Sequence, residues 1–244
     1  MKPIKQLDTR DFFTQAQGRE VPASIWMPHE TTEPLPLILV GHGGSGHKRS
    51  QLVQDVATAL LNDFEVAVVA IDGPVHGSRR EIFNDGPVVR QEFRDLWTSG
   101  LSVDPMIADW MSCIDYLCQM PEIDATKIGW YGISMGTAYG IPLVAKDQRI
   151  KVAALGMWGT CREPAHRLKE DAASIAIPVL FQVKEQDEIF TPKGQQELYD
   201  CLASQEKTWK SYPGGHTDPK DQQLKDIVQF LMHHLMDQCD FDAK

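Results

Sequence analysis

Gly132-Ile133-Ser134-Met135-Gly136 follows the stretch Lys127-Ile128-Gly129-Trp130-Tyr131 and leads into Thr137-Ala138-Tyr139-Gly140-Ile141. Residues 127–131 suit a short strand and residues 134–146 a helix. The five residues between them are therefore a sharp strand-to-helix turn of the pattern G-x-S-x-G. Such a turn forces its serine into a strained backbone conformation, and side chains at the two flanking positions would collide with neighbouring backbone. The hydroxyl is held out at the C-terminal edge of the sheet, where open α/β sheets bind ligands. Amides at the start of the helix add a partial positive charge there. The same five residues without chemistry would be an ordinary small-residue turn. The strand before and the helix after favour Ser134 as a nucleophile.

Outward from this turn, strands and helices alternate. Leu37-Ile38-Leu39-Val40 follows Pro34-Leu35-Pro36, and an uninterrupted apolar run of that kind suits a strand buried on both faces of a parallel sheet. Residues 50–64 carry Leu52, Val53, Val56, Ala57, Leu60 and Leu61 at helical spacings that mark one buried face. Residues 66–71 predict a second buried strand, and residues 106–120 a helix with Ile107, Met111, Ile114 and Leu117 on one side. Further strands are expected at 152–157, 178–183 and 208–212, and helices over 193–203 and 221–236. Residues 12–16 and 21–26 read as an N-terminal antiparallel hairpin around Gln17-Gly18-Arg19-Glu20. About six strands after that hairpin predict one open α/β domain over residues 1–244, its mostly parallel sheet covered by helices on both faces. Residues 76–104 and 160–176 show no sustained period and are expected to be pocket loops or a minimal lid.

The 244 residues, 42% hydrophobic and 24% charged, have the make-up of an ordinary globular domain. There are 24 Lys+Arg against 34 Asp+Glu, a formal charge of −10. That balance repels phosphate backbones and argues against nucleic-acid binding. Cys113, Cys118, Cys161, Cys201 and Cys239 show no CxxC spacing and read as free thiols in a reducing compartment. No run approaches the roughly 18 apolar residues of a membrane span. Residues 1–14 lack the apolar core of a secretory signal. A cytoplasmic protein is expected. The last helix is free to pack on the sheet or to serve a homodimer.

A serine hydroxyl is a poor nucleophile until a base takes its proton. His216, in Tyr212-Pro213-Gly214-Gly215-His216, follows the last strand, and its two glycines let the loop bend the imidazole back over the sheet edge. His233 and His234 sit in mid-helix, where the backbone is too rigid to swing back. The acid belongs between serine and histidine in the chain. Asp187 lies just past strand 178–183 and leads, with Glu185 and Glu188 as competitors within one turn. Gly41-His42-Gly43-Gly44-Ser45-Gly46 follows the first central strand and can aim backbone N–H groups at an oxyanion. Gly44 is the preferred donor, Gly43 its alternative, and Met135 the second donor. No phosphate-cradling glycine pattern is present. His42 reads as a buried residue that fixes this loop, and His42, His47 and His76 lack metal-ligand spacing. Trp158 either lines an acyl pocket or caps the sheet. Arg79, Arg80, Arg90 and Arg94 either recognise a substrate carboxylate or balance an acidic surface.

Ser134, Asp187 and His216, in that order, make the chain similar to the α/β-hydrolase superfamily over nearly its whole length. It resembles small dienelactone-hydrolase-like and prolyl-oligopeptidase-like serine esterases. Asp72-Gly73-Pro74-Val75-His76-Gly77-Ser78 also resembles a D-x-x-x-H-G-x-S turn that shapes the pocket in these families, which places His76 beside the substrate. Dienelactone hydrolases proper carry cysteine where this chain has Ser134, so the dienelactone substrate does not transfer directly. The resemblance implies cleavage of small-molecule carboxylic esters of small or medium acyl groups. Ser134 would be nucleophile, His216 base, Asp187 its orienting acid, and Gly44 and Met135 the oxyanion donors, with no metal or organic cofactor. A serine peptidase on small peptides or acyl-amino acids is the alternative, and a non-catalytic hydrolase-fold binding protein the third reading.

Overall fold

β1 (Leu7–Ala16) and β2 (Arg19–Pro28) pair antiparallel from Leu7 opposite Pro28 to Ala16 opposite Arg19. The computed structural model describes residues 7–82 and 86–236. Gln17 and Gly18, at φ 52° and 77°, make the turn, whose twist matches that of the flanking strands. The hairpin is thus longer and its turn tighter than the sequence suggests, because Arg19 and Glu20 join the strand. Six strands follow: β3 (Leu35–Gly41), β4 (Ala67–Ile71), β5 (Ile123–Gly132), β6 (Ile150–Gly156), β7 (Val179–Lys184) and β8 (Lys207–Tyr212). The sheet order is β1-β2-β4-β3-β5-β6-β7-β8, with β3 to β8 mutually parallel and β2 antiparallel to β4.

Successive strand residues point to opposite faces, and here both faces are covered. Ile38, Val40, Val68 and Tyr131 pack with Val53 and Leu60 of α1 (Gln51–Asp63) and Leu231 of α7 (Asp221–Leu235). On the other face Leu37, Leu39, Val69 and Trp130 pack with α3 (Val103–Leu117) and α4 (Met135–Lys146). The two faces explain why the central strands are continuous apolar runs rather than alternating ones. The strand order reverses between β3 and β5, whose C-terminal ends meet at Gly41 and Gly132. A crevice at such a switch point is where an open α/β sheet takes its ligand.

Two stretches that look irregular in sequence contain helices. α2 (Pro87–Thr98) starts on a proline suited to a first turn and buries Val89, Phe93 and Trp97, one residue per turn. That spacing of four is visible in the sequence, but charged and amide residues surround it. α5 (Ala165–Ala172) buries Ala165, Leu168 and Ala172, and small residues give little hydrophobic signal. α6 (Pro192–Cys201) follows β7 as expected. Among the described residues no helix is long and apolar enough to cross a membrane. Cys239 lies outside the described residues.

The turn after β4 is held by one buried ion pair. Asp72, fully buried, accepts 2.9 Å hydrogen bonds from the Lys48 amide and ammonium and a 2.8 Å bond from the Ser78 amide. Burial pushes its carboxyl pKa up, but those donors outweigh it and leave it below the ordinary carboxylate value. Gly77 sits at φ +53°, and a Cβ there would lie 2.2 Å from the Asp72 carboxylate. Asp72→Ala leaves the Lys48 ammonium buried without its counter-ion. It is expected to cost about 3–5 kcal/mol, the usual penalty for orphaning one member of a buried pair. Urea unfolding at pH 7 checks this, and an unchanged midpoint would contradict the assignment.

Candidate active site

Ser134 has φ 54° and ψ −121° at the junction of β5 and α4, a conformation costly for a residue with a Cβ. Close packing of backbone holds it there. A Cβ on Gly132 would lie 2.6 Å from the Gly136 carbonyl oxygen, and one on Gly136 would lie 2.5 Å from that of Gly41. The Ser134 amide donates to the Gly156 carbonyl at 3.0 Å. The Thr137 hydroxyl bridges behind the turn, 2.8 Å from the Gly132 carbonyl and 2.6 Å from that of Gly156.

The Ser134 hydroxyl lies 2.9 Å from His216 Nε2, and His216 Nδ1 lies 3.0 Å from Asp187 Oδ2. Residues far apart in sequence are thus brought into one hydrogen-bonded chain. The tips of β7 and β8 hold it. Gln186 donates its amide to the Gly214 carbonyl at 3.1 Å, and its side-chain oxygen accepts from the Gly214 amide at 2.6 Å. Asp187 Oδ1 accepts from the Ile189 and Phe190 amides, each at 2.9 Å, and the side chain is 1% exposed. Burial raises its pKa, yet hydrogen bonds from His216 and these amides hold the carboxyl below its ordinary value. Glu188, a competitor for the acid position, accepts from the His216 backbone amide at 2.9 Å instead of facing the ring. Glu185 is exposed, and its carboxylate meets only the Gln186 side chain among the described hydrogen bonds.

Two buried histidines shape the glycine loop. His42 Nδ1 lies 2.8 Å from the Gly43 carbonyl, and its Nε2 accepts from the Gly73 amide at 2.9 Å. Nδ1 is therefore the donor. His76 Nε2 lies 3.2 Å from the Gly44 carbonyl. Burial lowers the pKa of His42 to about 4 and that of His76 to about 3, so both rings are neutral at pH 7. Carbonyl and N–H point in opposite directions across a trans peptide. Holding the Gly43 carbonyl against His42 thus turns the Gly44 amide away from that ring. The expectation that His76 faces substrate is corrected here. It is fully buried behind the loop and is absent from the pocket wall, because its ring packs edge-on to His42 at 4.8 Å and beside Phe93.

Ser134, His216, Gly43 and Gly44 open into a cavity of about 190 Å³. Trp158, two residues past the end of β6, is buried and forms part of the cavity wall. Phe93 and Trp97 of α2 and Phe190 complete an aromatic side, with Trp158 4.6 Å from Phe190 and 5.4 Å from Trp97 between ring centroids. These three wall residues are not identified by the sequence reading. The Val89, Phe93, Trp97 spacing was the available signal for two of them. Met135 is buried and is not part of the cavity wall; as the first residue of α4, its amide has no intrahelical acceptor. Among the described residues no group of three His, Cys, Asp or Glu side chains is placed to hold a metal ion.

The chain is similar to known proteins over most of this architecture. A cold-adapted esterase from an Arctic intertidal metagenomic library, in its PEG-bound complex, superposes with a TM-score of 0.83 and 31% identity over 94% of this chain and 95% of that one. Protein bem46 of Schizosaccharomyces pombe is 25% identical over 234 residues, 85% of this chain and 68% of that protein. YtaP of Bacillus subtilis is 28% identical over 144 residues, so the match spans 54% of this chain and about half, 46%, of that protein. Residues 25–222 match the model of the dienelactone hydrolase family. The chain belongs to that family and is an α/β-hydrolase.

Proposed function

We propose that this member of the dienelactone hydrolase family is a serine esterase that cleaves carboxylic esters of small or medium acyl groups. One observation carries the reading: Ser134, His216 and Asp187 are joined at 2.9 and 3.0 Å, and the first two line a cavity. In this mechanism His216 Nε2 takes the hydroxyl proton as Ser134 Oγ bonds to the ester carbon. Asp187 holds the ring so that Nδ1 carries its proton, and it stabilises the imidazolium. The Gly44 and Met135 amides stabilise the oxyanion, a contribution of about 3 kcal/mol per donor where one has been removed elsewhere. The imidazolium proton then leaves with the alcohol. Water attacks the acyl-enzyme, gives its proton to His216, and releases the acid and free Ser134. The aromatic wall and the small cavity volume favour short acyl chains.

The test is turnover of 4-nitrophenyl acetate, butyrate and octanoate by the full chain, with and without a fluorophosphonate. Acetate and butyrate are expected to exceed octanoate at least about tenfold in kcat/KM, since the longer chain outgrows the wall. Activity should fall in step with covalent labelling. The absence of both turnover and labelling would defeat the proposal.

A further inference from the structure

Most arginines of this acidic chain are neutralised locally. Arg19, Arg49, Arg79, Arg80, Arg149 and Arg167 each sit within 4 Å of a carboxylate. Four of the ten arginines have no such partner among the described residues: Arg10, Arg90, Arg94 and Arg162. Three of those four, Arg90, Arg94 and Arg162, line the cavity that holds Ser134 and His216. Arg90 and Arg94 are four residues apart on α2, hence on one face. Arg162 comes from the loop after β6 and lies over the Phe190 ring at 5.8 Å. Arg94 is half-buried; desolvation first, then the charges of Arg162 and Arg90, push its pKa down. Three cations are thus gathered against mutual repulsion, in a chain of charge −10, with no carboxylate within 4 Å of any of them among the described residues. Two carboxylates line the same cavity, Glu188, which accepts from the His216 amide, and Asp218, whose nearby positive charges are Lys184 and Lys220 rather than these arginines.

We propose that Arg90, Arg94 and Arg162 form an anion subsite beside Ser134 that selects esters carrying a dianionic, phosphate-type group. This deepens the esterase reading and rests on it. Guanidinium groups match phosphate oxygens with paired N–H donors. A carboxylate offers two oxygens and one charge, whereas a phosphate monoester offers three free oxygens and two charges to the three guanidiniums. The wall places this charge next to the aromatic surface, so the selected ester has an apolar part and an anionic part close together.

The test compares phenyl phosphate, benzoate, benzyl alcohol and inorganic phosphate as inhibitors of 4-nitrophenyl acetate turnover. Binding of phenyl phosphate to the Ser134→Ala chain is measured alongside by titration calorimetry. Phenyl phosphate is expected to compete with an inhibition constant at least about tenfold below that of benzoate, with benzyl alcohol weaker still. The double variant Arg94→Gln, Arg162→Gln, shown by circular dichroism to be folded, should raise that constant at least about tenfold and close the gap to benzoate. Equal constants for phosphate, carboxylate and alcohol, or binding indifferent to the double variant, would overturn the subsite. Inorganic phosphate binding as tightly as phenyl phosphate would overturn substrate selection. Arginine-dependent binding in the Ser134→Ala chain without ester turnover by the native one would defeat the esterase reading and leave the anion site standing.

Discussion

Ser134→Ala will lower turnover of 4-nitrophenyl acetate by about a million-fold, the scale seen when the serine of such a relay is removed. The expectation rests on the 2.9 Å contact to His216 Nε2, which leaves no other hydroxyl joined to that nitrogen among the described hydrogen bonds. Alanine keeps the same Cβ at φ 54°, so the backbone strain of the turn is unchanged. Only one partly buried hydrogen bond is lost, and the thermal midpoint should move by a few degrees at most. Steady-state kinetics with the same ester, together with a melting curve, make the comparison. Activity within tenfold of the native chain would remove Ser134 from the chemistry. Lost activity accompanied by a collapsed melting curve would assign the residue to folding instead.

The second large effect is loss of stability in mild acid. His42 and His76 have folded pKa values pushed down by burial from about 6.5 to about 4 and about 3, and the charge of Asp72 only partly counters this. An unfolded chain binds protons at both imidazoles below pH 6.5, whereas the folded chain does not until far lower. Stability is therefore intact above about pH 6.5 and drains away as pH falls toward the folded values. Between pH 6.5 and 4.5 the two rings together remove roughly 5 kcal/mol, at about 1.4 kcal/mol per ring per pH unit. His76→Phe keeps an aromatic ring against His42 and Phe93 but cannot be protonated. It should halve the slope of unfolding free energy against pH in that range, at the cost of one hydrogen bond to Gly44. Urea titrations at several pH values measure the slope directly. A native chain with flat stability from pH 6.5 to 4.5 would show that these rings are charged or solvated in the folded state. Both rings stay neutral in the folded chain over this range, so the Gly43–Gly44 loop they hold should keep its form until the pH approaches about 4.

Ser134 and His216 were legible in the sequence because local constraints mark them. Gly132 and Gly136 leave room only for backbone, and the glycine pair before His216 frees a loop at a strand end. The sheet was legible for a similar reason: strands covered on both faces must be continuously apolar, whatever their partners. α2 was not, since one buried residue per turn on a charged helix gives a weak pattern, and its face is defined by what it covers. Asp187, Glu185 and Glu188 are chemically alike and lie within one turn. Which carboxylate meets the imidazole is decided by the Ile189 and Phe190 amides gripping Asp187 while Glu188 reaches the His216 backbone. His76 belongs behind the loop rather than beside substrate because its ring fills space next to His42 and Phe93. The gathering of Arg162 with Arg90 and Arg94 depends on β6 and α2 ending at the same crevice. Sequence alone determined the sheet and singled out Ser134 and His216, which follow from periodicity and from glycine at positions where no side chain fits. Tertiary structure decided which carboxylate meets His216, how the glycine loop is held and what lines the cavity, because those depend on directions of side chains brought together from distant segments.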